Sequence, residues 1–532
     1  MTWIVLGEEK GKVMLVSKGI APGLLPKGTY LTIDEKGDAP EENNKIILRV
    51  DQSLQLQPYN PSPMIIDMDL SPLKPDQKCQ NLIYAYRLKD LNNRADGFAS
   101  FIRPQLIARR ADQKEIELAM DSSAKGVRVF PATIYCNQNQ LLRDEQGNYI
   151  SVKLPDDMFY HQILICGSTG SGKTVATKYF AQYFVEELEG AVLAINVKDV
   201  DFLKMDRASK TSHKKILEEW KSLNQEQHPI ENFIIYHPAN TTIAPSKEVN
   251  SKLCEPITLD VQKIDPESLI GLLQNITEIG AQNFPNIFRF WQERQKKLLK
   301  EKGSNPSFKF SQFYQYFSEH NEDRTFQTMN PRQELSQIKL HPGTYDNVMR
   351  NLDIATDFFD NPQAKTINES DILLPGKMSV IDVAASKNGF QFGSILLREL
   401  LRQIVQAKSE QRYKVPVLII IDEVHQFYNT NSSSEALSDL DLICRTGRSQ
   451  KIGVIFSSQT PSDIPRGLSS VINTKIFFKS DRTQAKNFGM DISVEEIESL
   501  GKGFACCSFF EMSQLKFVKF PLSFAGVFEE EA

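Results

Sequence analysis

The chain has 532 residues, 41% of them hydrophobic, which is too long for one ordinary domain and rich enough for several packed cores. Its 67 acidic and 62 basic residues leave a formal charge of −5, so no global basic field advertises nucleic acid, although basic groups can still gather locally in a channel. Seven scattered cysteines without zinc spacing read as reduced thiols, nothing approaches a membrane-spanning run, and the apolar start at 3–6 is too short for a signal peptide, so the expected location is cytoplasmic.

Residues 1–155 are β-rich. Short runs of strand formers fall at 3–6, 13–16, 30–33, 46–50, 127–130 and 150–154, several of them separated by Gly-Asp, Pro-Glu-Glu-Asn-Asn and Pro-Ser-Pro clusters. This predicts a small N-terminal β-barrel or sandwich. The stretch 82–120 is ambiguous and has room for a helix.

Near 156 the pattern changes to strand–helix alternation. A strand at 163–166 runs into Gly167-Ser168-Thr169-Gly170-Ser171-Gly172-Lys173-Thr174, followed by an amphipathic run that starts at Val175 and reaches 184. This is a phosphate-binding loop. Its glycines let successive N–H groups turn inward, the following helix offers its positive end, Lys173 can reach the β- and γ-phosphates, and the Thr174 hydroxyl can ligate Mg²⁺. Strands follow at 191–197, 379–383, 417–421 and 453–457, with helices at 392–409 and 436–444. Continuous Val/Ile/Leu runs mark a buried, mainly parallel sheet, so the fold class is α/β, with an ATPase core over 156–203 and 376–532.

Residues 204–375 read as a mainly helical insertion, with helical periodicity at 267–277 and 287–302. The run Phe288-Arg289-Phe290-Trp291, with Lys296, Lys297 and Lys300 behind it, is either an amphipathic helix with a solvated charged face or a DNA contact. A strand at 515–520 and an acidic tail at 529–531 close the chain.

The second half of the site lies at Ile419-Ile420-Ile421-Asp422-Glu423, a hydrophobic strand ending in two acids. Asp422 is aimed at the metal shell of a loop-bound nucleotide and Glu423 can polarise a water; simple strand termination is the alternative. Gln459 ends the strand at 453–457 and is either a γ-phosphate sensor or a strand-capping amide. Arg445 and Arg448 flank a glycine turn, as an arginine finger donated to a neighbour's nucleotide or as plain surface charge.

Together, His161 before the glycine loop, Ile-Asp-Glu-Val-His, Arg-Thr-Gly-Arg-Ser and Ser-Gln-Thr-Pro-Ser-Asp-Ile-Pro resemble the HerA branch of the HerA–FtsK ATPases over nearly the whole chain. The resemblance implies a small β-barrel before a RecA-like core with a helical insertion, assembled as a homo-hexamer with DNA in its channel. It implies ATP and Mg²⁺ as ligands, Lys173 and Thr174 on phosphate and metal, Asp422 completing the metal site, Glu423 as base, Gln459 as sensor, and Arg448 as the finger with Arg445 as fallback. The family commonly has an Asp-x-x-Gly-Glu-like stretch where this chain has Asn196-Val197-Lys198-Asp199, so Asp199 carries no assigned role. The implied function is a DNA translocase or helicase without a membrane anchor, working with a separate partner: a NurA-like nuclease, or a sirtuin-like or other defence effector. A nucleotide-gated scaffold and a conjugation or secretion ATPase are the alternatives; a septal FtsK-type pump is disfavoured, lacking a membrane segment and a clear winged helix.

Overall fold

The computed structural model describes residues 2–17, 25–35, 44–56, 80–91, 102–135, 138–144, 146–198, 201–239, 249–272, 278–302, 307–384, 389–427, 447, 449–463, 472–480, 493–512 and 517–528. Four of the N-terminal runs become the strands Trp3–Glu9, Lys12–Ser17, Tyr30–Glu35 and Asn44–Leu56. They form a closed antiparallel barrel with Gln80–Asp90 and Ile107–Arg110. Period-two alternation sends Trp3, Val5, Val13, Leu15, Leu31, Ile33, Leu48 and Ile83 into its interior, each of them fully or almost fully buried. The ambiguous stretch resolves into two of these strands and the helix Gln113–Ala119, whose capping box joins Asp112 and Glu115.

The barrel closes at Arg110, earlier than the boundary of 155 read from the sequence. Arg128–Tyr135 and Val152–Lys153, both expected within it, instead belong to the large sheet, where Arg128–Tyr135 pairs with Phe517–Lys519 from the far end of the chain. Alternation fixes a strand's faces but not its partner, which is why the boundary was misplaced.

The large sheet is 14-stranded. Its parallel part runs Lys365–Thr366, Cys254–Thr258, Phe233–Pro238, Met378–Asp382, Ala191–Asn196, Val417–Asp422, Ile452–Ser458, Gln162–Cys166 and Thr474–Phe477. Phe504–Ser508, Phe517–Lys519, Arg128–Tyr135 and Gln138–Leu141 continue it antiparallel. Along Val417–Asp422 the side chains divide between faces. Val417, Ile419 and Ile421 join the core that contains Trp291, Phe313 and Phe392, while Leu418 and Ile420 join Phe180 and Phe184 of the helix Lys173–Glu186. Cover on both faces explains the unbroken apolar run.

Three strands fall within the span read as a helical insertion and extend the sheet's edge, so that lobe narrows to the segment between Thr258 and Lys365, with its own hairpin Thr325–Met329 and Leu335–Lys339. Its helix Glu278–Lys302 passes through Pro285. Phe288 and Trp291 are core residues, packed edge-on or tilted against Phe313, and Arg289 is ion-paired with Glu267. The amphipathic reading therefore holds and these aromatic rings present nothing to DNA. The expected helix 436–444 and the tail 529–531 lie outside the described residues. Among the described residues Cys166, Cys254, Cys506 and Cys507 are free thiols, and no helix is long and apolar enough to cross a membrane.

Candidate nucleotide-binding site

The glycine loop lies at the carboxyl edge of the parallel strands, where an α/β sheet forms its ligand crevice. Ser168 N donates to Lys479 O at 2.7 Å and Gly167 N to Ser458 O at 3.3 Å, tying the loop to both neighbouring strand ends. Ser171 Oγ closes the turn on Ser168 O at 2.7 Å. Gly172 has φ +112 and caps the helix Lys173–Glu186 without any side-chain acceptor, and the first turn contains no acid. The opening amides of this helix are thus left for an external anion, with the helix dipole favouring negative charge. Ser168, Thr169 and Gly170 are exposed, whereas Lys173 is buried and bends over the loop, donating to Gly167 O at 2.6 Å and Ser168 O at 3.2 Å. Burial and the nearby Lys198 ammonium pull its pKa below the ordinary lysine value. Thr174 and Val175 follow, half-buried, on the first turn.

The strand Ile452–Ser458 lies between the loop strand and Val417–Asp422, pairing with both. This order brings Asp422 and Gln459 to the same crevice as the loop. Asp422 is 5% exposed, and burial pushes its carboxyl up to about 6 against the pull of Lys198 and a hydrogen bond from Ser457. Glu423, 3% exposed, follows in the left-handed region at φ +48, a conformation that costs a non-glycine residue about 1–2 kcal/mol and clusters at functional sites. Its Oε1 accepts from Gln459 Nε2 at 3.1 Å and from the Lys198 ammonium. Its Oε2 is buried, accepts no hydrogen bond, and lies 3.6 Å from His425 Nδ1. His425 is also 3.6 Å from Asp463, which accepts from Ser458 Oγ at 2.5 Å.

The structure therefore brings together the glycine loop, Lys173, Thr174, Asp422, Glu423 and Gln459. Arg445, Arg448 and Asp199 lie outside the described residues. Lys198, His425 and Asp463 were not singled out from the sequence as site residues. A polar residue just beyond a buried parallel strand was the available signal for Lys198, because the ends of such strands line the crevice. The open helix start and the cradle formed by Gly172 fit a polyphosphate. Thr174 and Asp422 are hard oxygen donors of the kind Mg²⁺ takes.

A glycine loop between strand and helix, with paired acids on a strand one removed, defines a P-loop protein with a RecA-like α/β core and an N-terminal barrel. Residues 141–404 match the family model described as the central domain of helicase HerA, and the chain is similar to HerA-type ATPases. It is 32% identical over 115 residues to the probable DNA double-strand break repair helicase HerA of Methanocaldococcus jannaschii, 20% of this chain and 23% of that one. It is 25% identical over 134 residues to the DNA double-strand break repair helicase HerA of Sulfurisphaera tokodaii, 24% of this chain and 27% of that one. The matches thus span about a quarter of each curated relative. Among solved structures, VirB4 of Thermoanaerobacter pseudethanolicus overlaps 75% of this chain and 97% of its own at TM-score 0.43 and 13% identity. The conjugative coupling protein TrwB overlaps 80% of this chain and 95% of its own at TM-score 0.47 and 13% identity.

Proposed function

We propose that the chain is an ATP-driven DNA translocase or helicase acting as a homo-hexameric ring. The observation that carries the reading is the buried pair Asp422 and Glu423, set with Gln459 at the same crevice as the open helix start after Gly172. In this reading the loop amides and Lys173 hold the phosphates of ATP. Thr174 and Asp422 would hold Mg²⁺, which when bound neutralises phosphate charge. Glu423 accepts a proton from the attacking water, and Gln459, already hydrogen-bonded to Glu423, couples that base to the γ-phosphate. Arg448, with Arg445 as the fallback, supplies a guanidinium to a neighbouring subunit's nucleotide.

DNA as the track is supported by the matched relatives, whose names are those of DNA double-strand break repair helicases. The barrel is the docking face proposed for a separate nuclease or effector, in DNA end processing or antiphage defence. A nucleotide-gated scaffold is the second reading, favoured by the engagement of Glu423 with Lys198. Steady-state ATP turnover with and without duplex DNA separates the two. DNA-stimulated turnover with movement along DNA supports the motor. Turnover indifferent to DNA but altered by the effector supports the scaffold.

A further inference from the structure

Lys198 stands two residues beyond the strand Ala191–Asn196, which pairs in register with the acid strand, Ile195 opposite Ile421. That register brings the Lys198 side chain to the catalytic crevice, where its ammonium is ion-paired with Glu423 Oε1. The same ammonium is felt electrostatically by Lys173 and by Asp422. One cation therefore faces the loop lysine, the metal-side acid and the base.

The state of Glu423 in this arrangement is informative. Lys198 and Gln459 both donate to Oε1, while Oε2 is closed off from solvent without a hydrogen bond. A general base must come within about 2.6–3.2 Å of the proton it takes. A carboxylate with one oxygen held by two donors and the other shut away from water does not meet that requirement. To act, it has to leave Lys198. A terminal phosphate carries more charge than a carboxylate and presents several oxygens, so a triphosphate in the loop competes for the ammonium, whereas a diphosphate has no γ-oxygen to offer.

We propose that Lys198 is a triphosphate-reading residue that parks Glu423 and releases it when its ammonium transfers to the γ-phosphate. This rests on the ATPase reading of the site and deepens it, by making the position of the base depend on which nucleotide is bound. The side chain is 41% exposed at the lip of the crevice, so it can move without disturbing the core.

The test is the affinity of the full chain for Mg²⁺-AMPPNP and for Mg²⁺-ADP in wild type, Lys198→Met, Lys198→Arg and Lys173→Ala. Loss of a charge-assisted contact made only to the γ-phosphate should weaken AMPPNP binding by Lys198→Met roughly 10- to 100-fold and leave ADP binding unchanged. Lys198→Arg should keep most of the discrimination. Equal weakening of both nucleotides would make Lys198 a structural counter-charge for Glu423 and overturn the proposal, as would no change in either. If wild type binds neither nucleotide, or Lys173→Ala binds both as wild type does, the nucleotide reading of the site fails and the proposal falls with it.

Discussion

Glu115 ties the barrel to the helix that leads out of it. It accepts from Arg109 Nη1 at 2.9 Å and Nη2 at 2.6 Å, Lys45 Nζ at 2.9 Å, Thr32 Oγ1 at 2.9 Å and Asp112 N at 3.0 Å. Burial alone raises a carboxyl's pKa, but these donors reverse it and hold Glu115 at about 2, down from 4.5. At about 1.4 kcal/mol per unit the full shift corresponds to roughly 3.4 kcal/mol. Arg109 and Lys45 are 35% and 46% exposed, so solvent screening brings the contribution nearer about 2 kcal/mol. Because the folded pKa is depressed, this stability is complete above the unfolded value of about 4.5 and is lost as pH falls through about 2. Glu115→Gln should speed hydrogen exchange of the 30–35 and 113–119 amides about 30-fold at pH 7, following a loss of about 2 kcal/mol. The gap between variant and wild type should shrink to roughly half near pH 3.5. A gap independent of pH, or none at neutral pH, would refute the assignment.

Two further outcomes follow from local geometry. Gly172→Ala places a Cβ at φ +112 and 3.0 Å from Gly503 N and Cα, so it should cost about 1–3 kcal/mol and weaken nucleotide binding at least tenfold; unchanged melting and affinity would count against the cradle. A chain starting at Ser122 should keep every strand of the large sheet and its nucleotide binding while losing effector capture. Starting after residue 150 also removes Arg128–Tyr135 and should leave Phe517–Lys519 paired only with Phe504–Ser508, its other edge bare and the core less stable, which limited proteolysis of the two truncations would reveal.

Much of this site was legible because its chemistry is local. The glycine loop, the acid pair and the apolar strands each occupy a few consecutive residues, and buried parallel strands leave unbroken Val/Ile/Leu runs. What was missed depends on pairing across long sequence distances. Lys198 meets Glu423 only because their strands are neighbours, and Arg128–Tyr135 belongs to the core only because Phe517–Lys519 returns to it. Phe233–Pro238 and Cys254–Thr258 were passed over because a His-Pro end and a Cys-Glu-Pro start dilute their apolar character within a polar stretch. The helix Glu278–Lys302 begins earlier than its periodicity indicated, since Pro285 reads as a start signal and here lies inside.

The central claim is that Glu423 is the base of an ATP-hydrolysing P-loop site, and single-turnover ATP hydrolysis by Glu423→Gln tests it most directly. The amide keeps the shape of the side chain but cannot take the proton from water. ATP should therefore still bind, while its cleavage slows about 10²- to 10⁴-fold relative to wild type. Cleavage at the wild-type rate by a variant that binds ATP normally would contradict the account.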